Sequence, residues 1–268
     1  MVTASLTARE RRKIDDLVAR AKGLPRPLLV AMDVDGTLAP IVDDPDAARI
    51  PPDTARSLRA LAGARGMRVA LVTGRDARSL GRMAWLGEIY RAVEHGRRLL
   101  APGDRAGRRP RLPPEDRQRL DGFAAWADEH ALPHGARLER KDGAVALHVR
   151  ELAVRAPARA KRLLDQAKAA AIANQLHPRR GRNVLEAELE AGDKGAALRT
   201  IHRKLRAKGV VYAGDDLTDA PAIRTAVELG GIGLFVRSKE RPRPPRGATA
   251  ALAGTEAVAA FLDGLAPG

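Results

Sequence analysis

The sequence predicts an α/β fold, a parallel sheet core into which a smaller α+β module is inserted. Two observations predict it. Short apolar runs alternate with amphipathic helical patterns in both end regions of the chain, and this spacing is typical of parallel strands joined by crossovers. Between these regions, a charged Pro- and Gly-rich loop over residues 103–114 and an Asp142-Gly143 hairpin signal indicate a segment of different character.

The core elements follow from the apolar runs. Thr7 and Glu10 predict a capping box that opens an N-terminal helix within residues 1–24. We then expect three strands, with helices over residues 52–64 and 79–85 between them; the strands are Leu28–Met32, Met67–Val72 and Tyr90–Val93. The core resumes with elements over residues 194–206 (helix), 210–213 (strand), a further helix, Ile232–Val236 (strand) and 255–265 (helix).

We place the core at residues 25–100 and 191–268, and the inserted module at residues 101–190. In the module we expect helices over residues 114–130 and 157–173, with four strands over residues 137–141, 144–150, 175–178 and 183–189. Alternation in the second of these strands indicates one polar face.

Composition limits the classes of function. The chain has 268 residues, no cysteine, 3% aromatic residues and a formal net charge of +15. Without cysteine there are no disulfides or thiolate nucleophiles, which fits a reducing compartment, and we expect a cytoplasmic monomer. The basic residues are dispersed and few aromatic rings can stack on bases, so we expect no nucleic-acid partner. No apolar run approaches the ~20 residues that span a bilayer, so we expect no membrane partner.

Two carboxylates, Asp33 and Asp35, come directly after the first predicted strand, and Gly36 permits a sharp turn behind them. Ligands bind at the carboxyl ends of strands in such sheets. Asp33 and Asp35 repel each other unless a cation lies close by. A plain strand-to-turn boundary is the alternative interpretation.

Further polar residues stand at other predicted strand ends or helix starts: Thr73, Lys194, Asp215, Asp216 and Asp219. Each alone fits a turn, a helix start or an N-cap, but the set in this order suits phosphoryl transfer. One carboxylate can accept the phosphoryl group and a second can move protons, while Thr73 and Lys194 contact phosphate oxygens. Two like charges about 4 Å apart repel by ~4 kcal/mol, so a phosphate here calls for a hard divalent cation, and Mg²⁺ suits carboxylate ligands.

These features resemble the four motifs of the haloacid dehalogenase superfamily, and more closely the trehalose-6-phosphate phosphatase family. The resemblance runs from about residue 26 to residue 264. It is carried by Asp33-x-Asp-Gly-Thr-Leu-Ala-Pro-Ile-Val, Pro45, Ala47-Ala48, Glu94-His95-Gly96, Glu139-x-Lys141, His148-x-Arg150, Val184-Leu185-Glu186, Asp193-Lys194-Gly195 and Gly214-Asp215-Asp216-x-Thr218-Asp219. The family usually has an acidic residue where Ala220 stands and a lysine in the run 181–183.

The resemblance implies a Rossmann-like core with a C2-type cap, and a role for each residue. Asp33 is the implied nucleophile and Asp35 the general acid and base. Mg²⁺ is held by the Asp33 side chain, the Asp35 carbonyl and Asp215, with Asp216 or Asp219 in support. The remaining roles are phosphate binding by Gly36, Thr73, Gly74 and Lys194, and sugar binding by His95, Glu139, Lys141, His148, Arg150 and Glu186.

Three functions compete. The first is Mg²⁺-dependent hydrolysis of trehalose 6-phosphate, a small-molecule substrate. The second is the same chemistry on sucrose phosphate, mannosyl phosphoglycerate or a hexose phosphate. The third is a basic, non-catalytic binding or regulatory protein on a phosphatase scaffold. For the strand residues Glu139, Lys141, His148 and Arg150, cross-strand ion pairs are an alternative to sugar contacts.

Overall fold

The computed structural model describes residues 6–267 except 43, 85, 88, 105–111, 142, 182 and 239. The described residues divide into two compact units. The core unit contains those up to residue 104 and those from Gly192 onward, and the inserted unit contains those from residue 112 to Ala191.

The elements alternate along the chain as expected for the core. Before the insertion they are α1 (Ala8–Lys22), β1 (Leu28–Met32), α2 (Pro52–Gly63), β2 (Met67–Val72), α3 (Ala77–Met83), β3 (Tyr90–Val93) and β4 (Arg98–Leu100). The inserted unit has α4 (Pro114–His130), β5 (Arg137–Lys141), β6 (Ala144–His148), α5 (Arg150–Arg155), α6 (Pro157–Ala173), β7 (His177–Gly181) and β8 (Val184–Glu188). The core then continues with α7 (Lys194–Lys204), β9 (Gly209–Gly214), α8 (Ala220–Glu228), β10 (Ile232–Val236), β11 (Ala250–Leu252) and α9 (Gly254–Leu265).

The core sheet has the strand order β11-β10-β9-β1-β2-β3-β4. All neighbouring strands pair in parallel except β3 and β4, which are antiparallel. The parallel pairing predicted for the first three strands is therefore confirmed. Strand β1 lies between β2 and β9, and the carboxyl ends of these three strands meet at one edge.

Both faces of β1 are covered by helices. Leu28, Val30 and Met32 pack in the cluster that contains residues of α1, α2 and α9, whereas Leu29 and Ala31 pack in the cluster of α7 and α8. This period-2 alternation explains why an unbroken apolar run forms a fully buried strand. The predicted capping box of α1 is also present, with Thr7 accepting from the backbone N–H of Glu10.

The inserted unit is an antiparallel sheet, order β5-β6-β8-β7, with helices on one face. Val145, Leu147, Leu185 and Ala187 pack with residues of α4 and α6. The pairing of β5 with β6 confirms the predicted hairpin, with Lys141 opposite Ala144. Asp142 of its turn lies outside the described residues, as do Trp85 of the predicted second helix and residues 105–111 of the predicted loop.

Several predicted boundaries were wrong. The strand predicted over residues 144–150 ends at His148, because Val149 leaves the extended conformation (φ −120°, ψ 22°) and α5 begins at Arg150. The strand predicted from Gln175 begins at His177, because Gln175 has a left-handed φ of 56° behind α6. The three-residue strands β4 and β11 were not predicted. Among the described residues, no helix combines the length and hydrophobicity needed to cross a membrane.

Candidate active site

Strand pairing brings the first and last acidic motifs together. In the β1–β9 register Met32 lies opposite Ala213, and the backbone N–H of Asp33 donates to the carbonyl of Ala213 at 2.9 Å. One carboxylate oxygen each of Asp33, Asp215 and Asp219 lies within 4.8 Å of the other two. All three residues are buried, so the structure gathers a carboxylate cluster at the carboxyl edge of the sheet.

Lys194 lies inside this cluster. Its Nζ donates to Asp33 Oδ1 at 2.8 Å and to Asp219 Oδ1 at 2.7 Å, and the residue is only 3% exposed. The position of Lys194 is set by the start of α7, where Asp193 caps the helix by accepting from the N–H groups of Gly195 and Ala196. Burial opposes the ammonium charge, yet the two carboxylates keep the pKa of Lys194 above its ordinary value.

Asp219 is held by protein donors on both of its oxygens. Besides Lys194, the hydroxyl of Tyr212 donates to Oδ1 at 2.6 Å, and the backbone N–H of Asp216 donates to Oδ2 at 3.0 Å. Tyr212 lies on β9 and is fully buried. Sequence reasoning missed Tyr212, because a tyrosine within an apolar run is typical of a strand core.

The cluster contains three carboxyl groups and one ammonium group. Burial and the nearby Asp219 raise the pKa of Asp33 well above its ordinary value, and the same two causes raise the pKa of Asp215 to about 7. Three buried carboxylates beside one ammonium match the oxygen ligands that a hard divalent cation prefers. Because Asp219 directs its oxygens to Lys194, Tyr212 and Asp216, Asp33 and Asp215 are better placed to bind the ion.

Gly36 is required where the loop after β1 passes Asp215. It has a left-handed φ of 75°, and a Cβ built on it would overlap the Asp215 carboxylate. Its N–H donates to the carbonyl of Ala39 at 2.8 Å, which closes the loop. Glycine is therefore required, because it adopts the left-handed φ without strain and has no Cβ to overlap the carboxylate.

Asp35 contacts the loop after β2. Arg75 donates from Nε to Asp35 Oδ2 and from Nη2 to Asp35 Oδ1, both at 2.7 Å. The third guanidinium nitrogen, Nη1, donates to Ser79 Oγ at 2.8 Å. Sequence reasoning noted Arg75 only as part of a strand-ending turn.

The loops after β2 and β3 contact each other through Thr73, Gly74 and His95. Thr73 is 1% exposed, and its Oγ1 accepts from the N–H of Arg75 at 3.1 Å, which uses a lone pair and not the O–H donor. The N–H of His95 donates to the carbonyl of Thr73 at 2.8 Å. A Cβ on Gly74 would lie 2.5 Å from His95 Cε1, so glycine allows the imidazole to pack on this loop. Glu94 and His95 both have positive φ, 54° and 58°, a strained arrangement that clusters at functional sites.

The side chain of Asp216 contacts residues outside the cluster of Asp33, Asp215 and Asp219. Its Oδ1 lies 2.6 Å from Nε of Arg241, and its Oδ2 accepts from the Thr218 hydroxyl at 3.4 Å. Asp216 is not in the three-carboxylate cluster. Ala220, where the resemblance implies an acidic residue, is the first residue of α8, and Pro221 follows it in the first turn, where its missing N–H costs nothing.

In the inserted unit, the predicted sugar-binding strand residues share one face of the sheet. Glu139, Ala146 and Glu186 lie side by side across β5, β6 and β8, and Lys141 and His148 are on the same face. His148 Nε2 lies 2.8 Å from Glu139 Oε2, and Lys141 pairs with Glu186. The hydrogen bond with His148 lowers the pKa of Glu139 below its ordinary value although burial acts in the opposite direction. Arg150 departs from this face, because it opens α5.

Comparison with known proteins agrees with this geometry. A family model described as trehalose-phosphatase matches residues 31–255. The chain is 33% identical over 257 residues to a trehalose-phosphate phosphatase of Mycobacterium ulcerans. This match covers 93% of this chain and 64% of that protein. The chain is also 33% identical over 245 residues to an uncharacterized glycosyl hydrolase of Mycobacterium tuberculosis, covering 88% of this chain but 18% of that protein. The chain therefore spans less than two thirds of these relatives.

Among solved structures, the C-terminal domain of a trehalose-6-phosphate phosphatase from Candida albicans matches with a TM-score of 0.72 at 20% identity, covering 94% of this chain and 96% of that one. This confirms the predicted fold class, an α/β core with an α+β insertion. Because the family model covers most of the chain, the protein belongs to the trehalose-phosphatase family.

Proposed function

We propose that this protein is a Mg²⁺-dependent phosphatase that converts trehalose 6-phosphate and water into trehalose and phosphate, with Asp33 as the nucleophile. The observation that carries the proposal is the contact of Lys194 with Asp33 and Asp219 beside Asp215, at the edge where parallel sheets bind ligands. Membership of the trehalose-phosphatase family supports the reaction and the substrate.

In the first half-reaction, a carboxylate oxygen of Asp33 attacks phosphorus. Lys194 donates to Oδ1, which leaves Oδ2 as the attacking atom. The new Asp33–phosphorus bond forms as the bond from phosphorus to the sugar oxygen breaks, and Asp35 transfers a proton to that oxygen. The alcohol leaves and an aspartyl-phosphate remains.

In the second half-reaction, Asp35 takes a proton from water and the water oxygen attacks phosphorus. The bond between phosphorus and Asp33 breaks, which releases phosphate and restores the carboxylate. The O–H of Thr73 and the N–H of Gly74 supply donors to the phosphoryl oxygens, the loop that Gly36 shapes borders the same site, and Lys194 offsets the developing negative charge.

Asp33, Asp215 and the Asp35 carbonyl would hold Mg²⁺, while Asp219 fixes Lys194 through its hydrogen bonds. When bound, the ion supplies positive charge that offsets the repulsion between the carboxylates and the phosphate dianion. Asp216 would act indirectly, since its N–H positions Asp219.

The polar face of the inserted unit supports sugar recognition. Glu139, Lys141, His148 and Glu186 present paired donors and acceptors on neighbouring strands, and sugar hydroxyls need both. We include His95 and Arg150 in the same role on the strength of the family resemblance.

A substrate panel tests the proposal. Phosphate release is measured with Mg²⁺ from trehalose 6-phosphate, sucrose phosphate, mannosyl phosphoglycerate and hexose phosphates, and again with excess chelator. We expect preference for trehalose 6-phosphate and loss of activity with chelator. Equal rates on all the esters would contradict the substrate, and undiminished rates in chelator would contradict the metal dependence.

A further inference from the structure

The contact between Arg75 and Asp35 was not expected from the sequence, and it fixes the side chain that the proposed reaction needs most precisely placed. Two parallel hydrogen bonds of 2.7 Å occupy both oxygens of Asp35. A bidentate pair of this kind fixes the plane and the direction of a carboxylate as well as its charge. Each oxygen keeps a second lone pair, so proton transfer remains open.

Arg75 is itself held rigidly. Its Nη1 donates to Ser79 Oγ at 2.8 Å, its backbone N–H donates to Thr73 Oγ1 at 3.1 Å, and its carbonyl accepts from the N–H of Glu94 at 2.9 Å. The side chain is 11% exposed, whereas that of Asp35 is 41% exposed. The arginine is therefore the fixed partner, and the half-exposed carboxylate takes its orientation from it.

The polar contacts that fix Arg75 are distinct from those that fix the nucleophile. Asp33 is paired with Lys194, and Arg75 with Asp35 and Ser79. Loss of the guanidinium should thus disturb proton transfer while leaving the attack on phosphorus intact.

We propose that Arg75 is a positioning residue that orients Asp35 for proton transfer in both half-reactions. This rests on the proposed function. Its signature is a dependence on the leaving group: departure of a strongly basic sugar alkoxide needs the proton from Asp35, whereas departure of a weakly basic nitrophenolate does not.

The test compares the unchanged protein with Arg75→Met and Arg75→Lys on 4-nitrophenyl phosphate and on trehalose 6-phosphate or glucose 6-phosphate, with Mg²⁺. For Arg75→Met we expect an unchanged burst of nitrophenolate followed by slow turnover, because the second half-reaction still needs Asp35 as base. On the sugar phosphate we expect kcat to fall by about 10²-fold. Arg75→Lys keeps the charge without the bidentate geometry and should recover only part of this loss.

Arg199→Met is the matched control, because Arg199 makes a half-exposed ion pair with Glu228 at 2.6 Å on α7 and α8. It should leave both reactions unchanged. Equal losses of the nitrophenolate burst and of sugar-phosphate turnover in folded Arg75→Met would overturn the proposal, and so would full activity. Preference for a different sugar phosphate would contradict only the substrate assignment, whereas an unchanged protein without any phosphatase activity would end both proposals.

Discussion

Replacing Asp215 by Asn is expected to stabilise the metal-free protein and to remove its response to Mg²⁺. Asp215 is 6% exposed, and burial together with Asp219 raises its pKa from 3.8 to about 7. The cluster of Asp33, Asp215 and Asp219 has an ammonium from Lys194 as its close cation. Asn keeps the shape of the side chain while removing one of the repelling charges.

The size and the sign of this change in the free energy of unfolding follow from the difference between the pKa values of Asp215 in the folded and unfolded states. Below pH 4 the Asp215 carboxyl is protonated in both states, and the substitution changes little. Between pH 4 and pH 7 the unfolded chain ionises first, so the free energy of unfolding falls as pH rises, and above pH 7 the loss is complete. A difference of about 3 pKa units corresponds to about 4 kcal/mol. This is an upper limit, because Asp33 can relieve part of the repulsion by taking up a proton.

Thermal unfolding measures the effect. With chelator at pH 8, Asp215→Asn should unfold at a higher temperature than the unchanged protein, by about 2–4 °C for each kcal/mol. At pH 4 the two should nearly coincide. With excess Mg²⁺ at pH 8 the difference should shrink or reverse, because only the unchanged protein gains stability from binding the ion.

Asp216→Asn is the matched control. Asp216 is the next residue, half-exposed and paired with Arg241, so this substitution should change the free energy of unfolding by less than about 1 kcal/mol at either pH. If Asp215→Asn unfolded at a lower temperature than the unchanged protein in chelator at pH 8, or if its effect did not grow between pH 4 and pH 7, the electrostatic reasoning would be refuted.

Three further predictions follow from single contacts. Tyr212→Phe removes the hydroxyl that donates to Asp219 and should lower the free energy of unfolding by about 1–3 kcal/mol, measured by denaturant titration, with no loss if the contact is dispensable. Gly36→Ala should abolish Mg²⁺ binding in calorimetry, since the new Cβ overlaps the Asp215 carboxylate; unchanged affinity would show that the loop adapts. Glu139→Gln should raise KM for the sugar phosphate and leave turnover of 4-nitrophenyl phosphate unchanged, whereas equal effects on both would remove Glu139 from sugar recognition.

The core of the fold could be predicted because its signals are local. The run Leu28–Met32 is apolar at every position, which is the pattern of a strand covered on both faces, and Asp33 follows it directly. Parallel pairing then places the polar residues that end neighbouring strands at one edge. This reasoning predicts that Asp33 and Asp215 lie together, as the structure shows, whereas Lys194 reaches them from the start of a helix.

Side-chain contacts that form only when a turn or a neighbouring strand brings two residues together could not be predicted in this way. Arg75 is 40 residues from Asp35 in the chain and is one of 48 basic residues, and its local pattern indicates only a turn. Tyr212 acquires its role through the turn after β9 that brings Asp219 back against the strand. Nothing in the run around either residue carries that information.

Arg150 shows the opposite failure, a local pattern continued too far. His148-x-Arg150 fits strand alternation, and Val149 lies on the apolar side that this alternation predicts and donates its N–H to the carbonyl of Asn183 at 2.8 Å, but its ψ of 22° ends the extended conformation. The N-cap of the helix that follows is Val149, which makes no capping hydrogen bond with its side chain, so the sequence contains no signal for the start of α5. Side-chain periodicity therefore continues past a strand boundary that the backbone dihedral angles of Val149 set.

The most direct measurement of the central claim is a search for a phosphoryl group on Asp33 during turnover. The protein is mixed with Mg²⁺ and trehalose 6-phosphate, quenched in acid within the first turnovers, and digested for mass spectrometry. We predict one phosphoryl group on the peptide that contains residue 33, formed and lost at the rate of turnover, and neither adduct nor turnover in Asp33→Asn. Steady phosphate release by a protein that never carries the adduct, or by Asp33→Asn, would contradict the account.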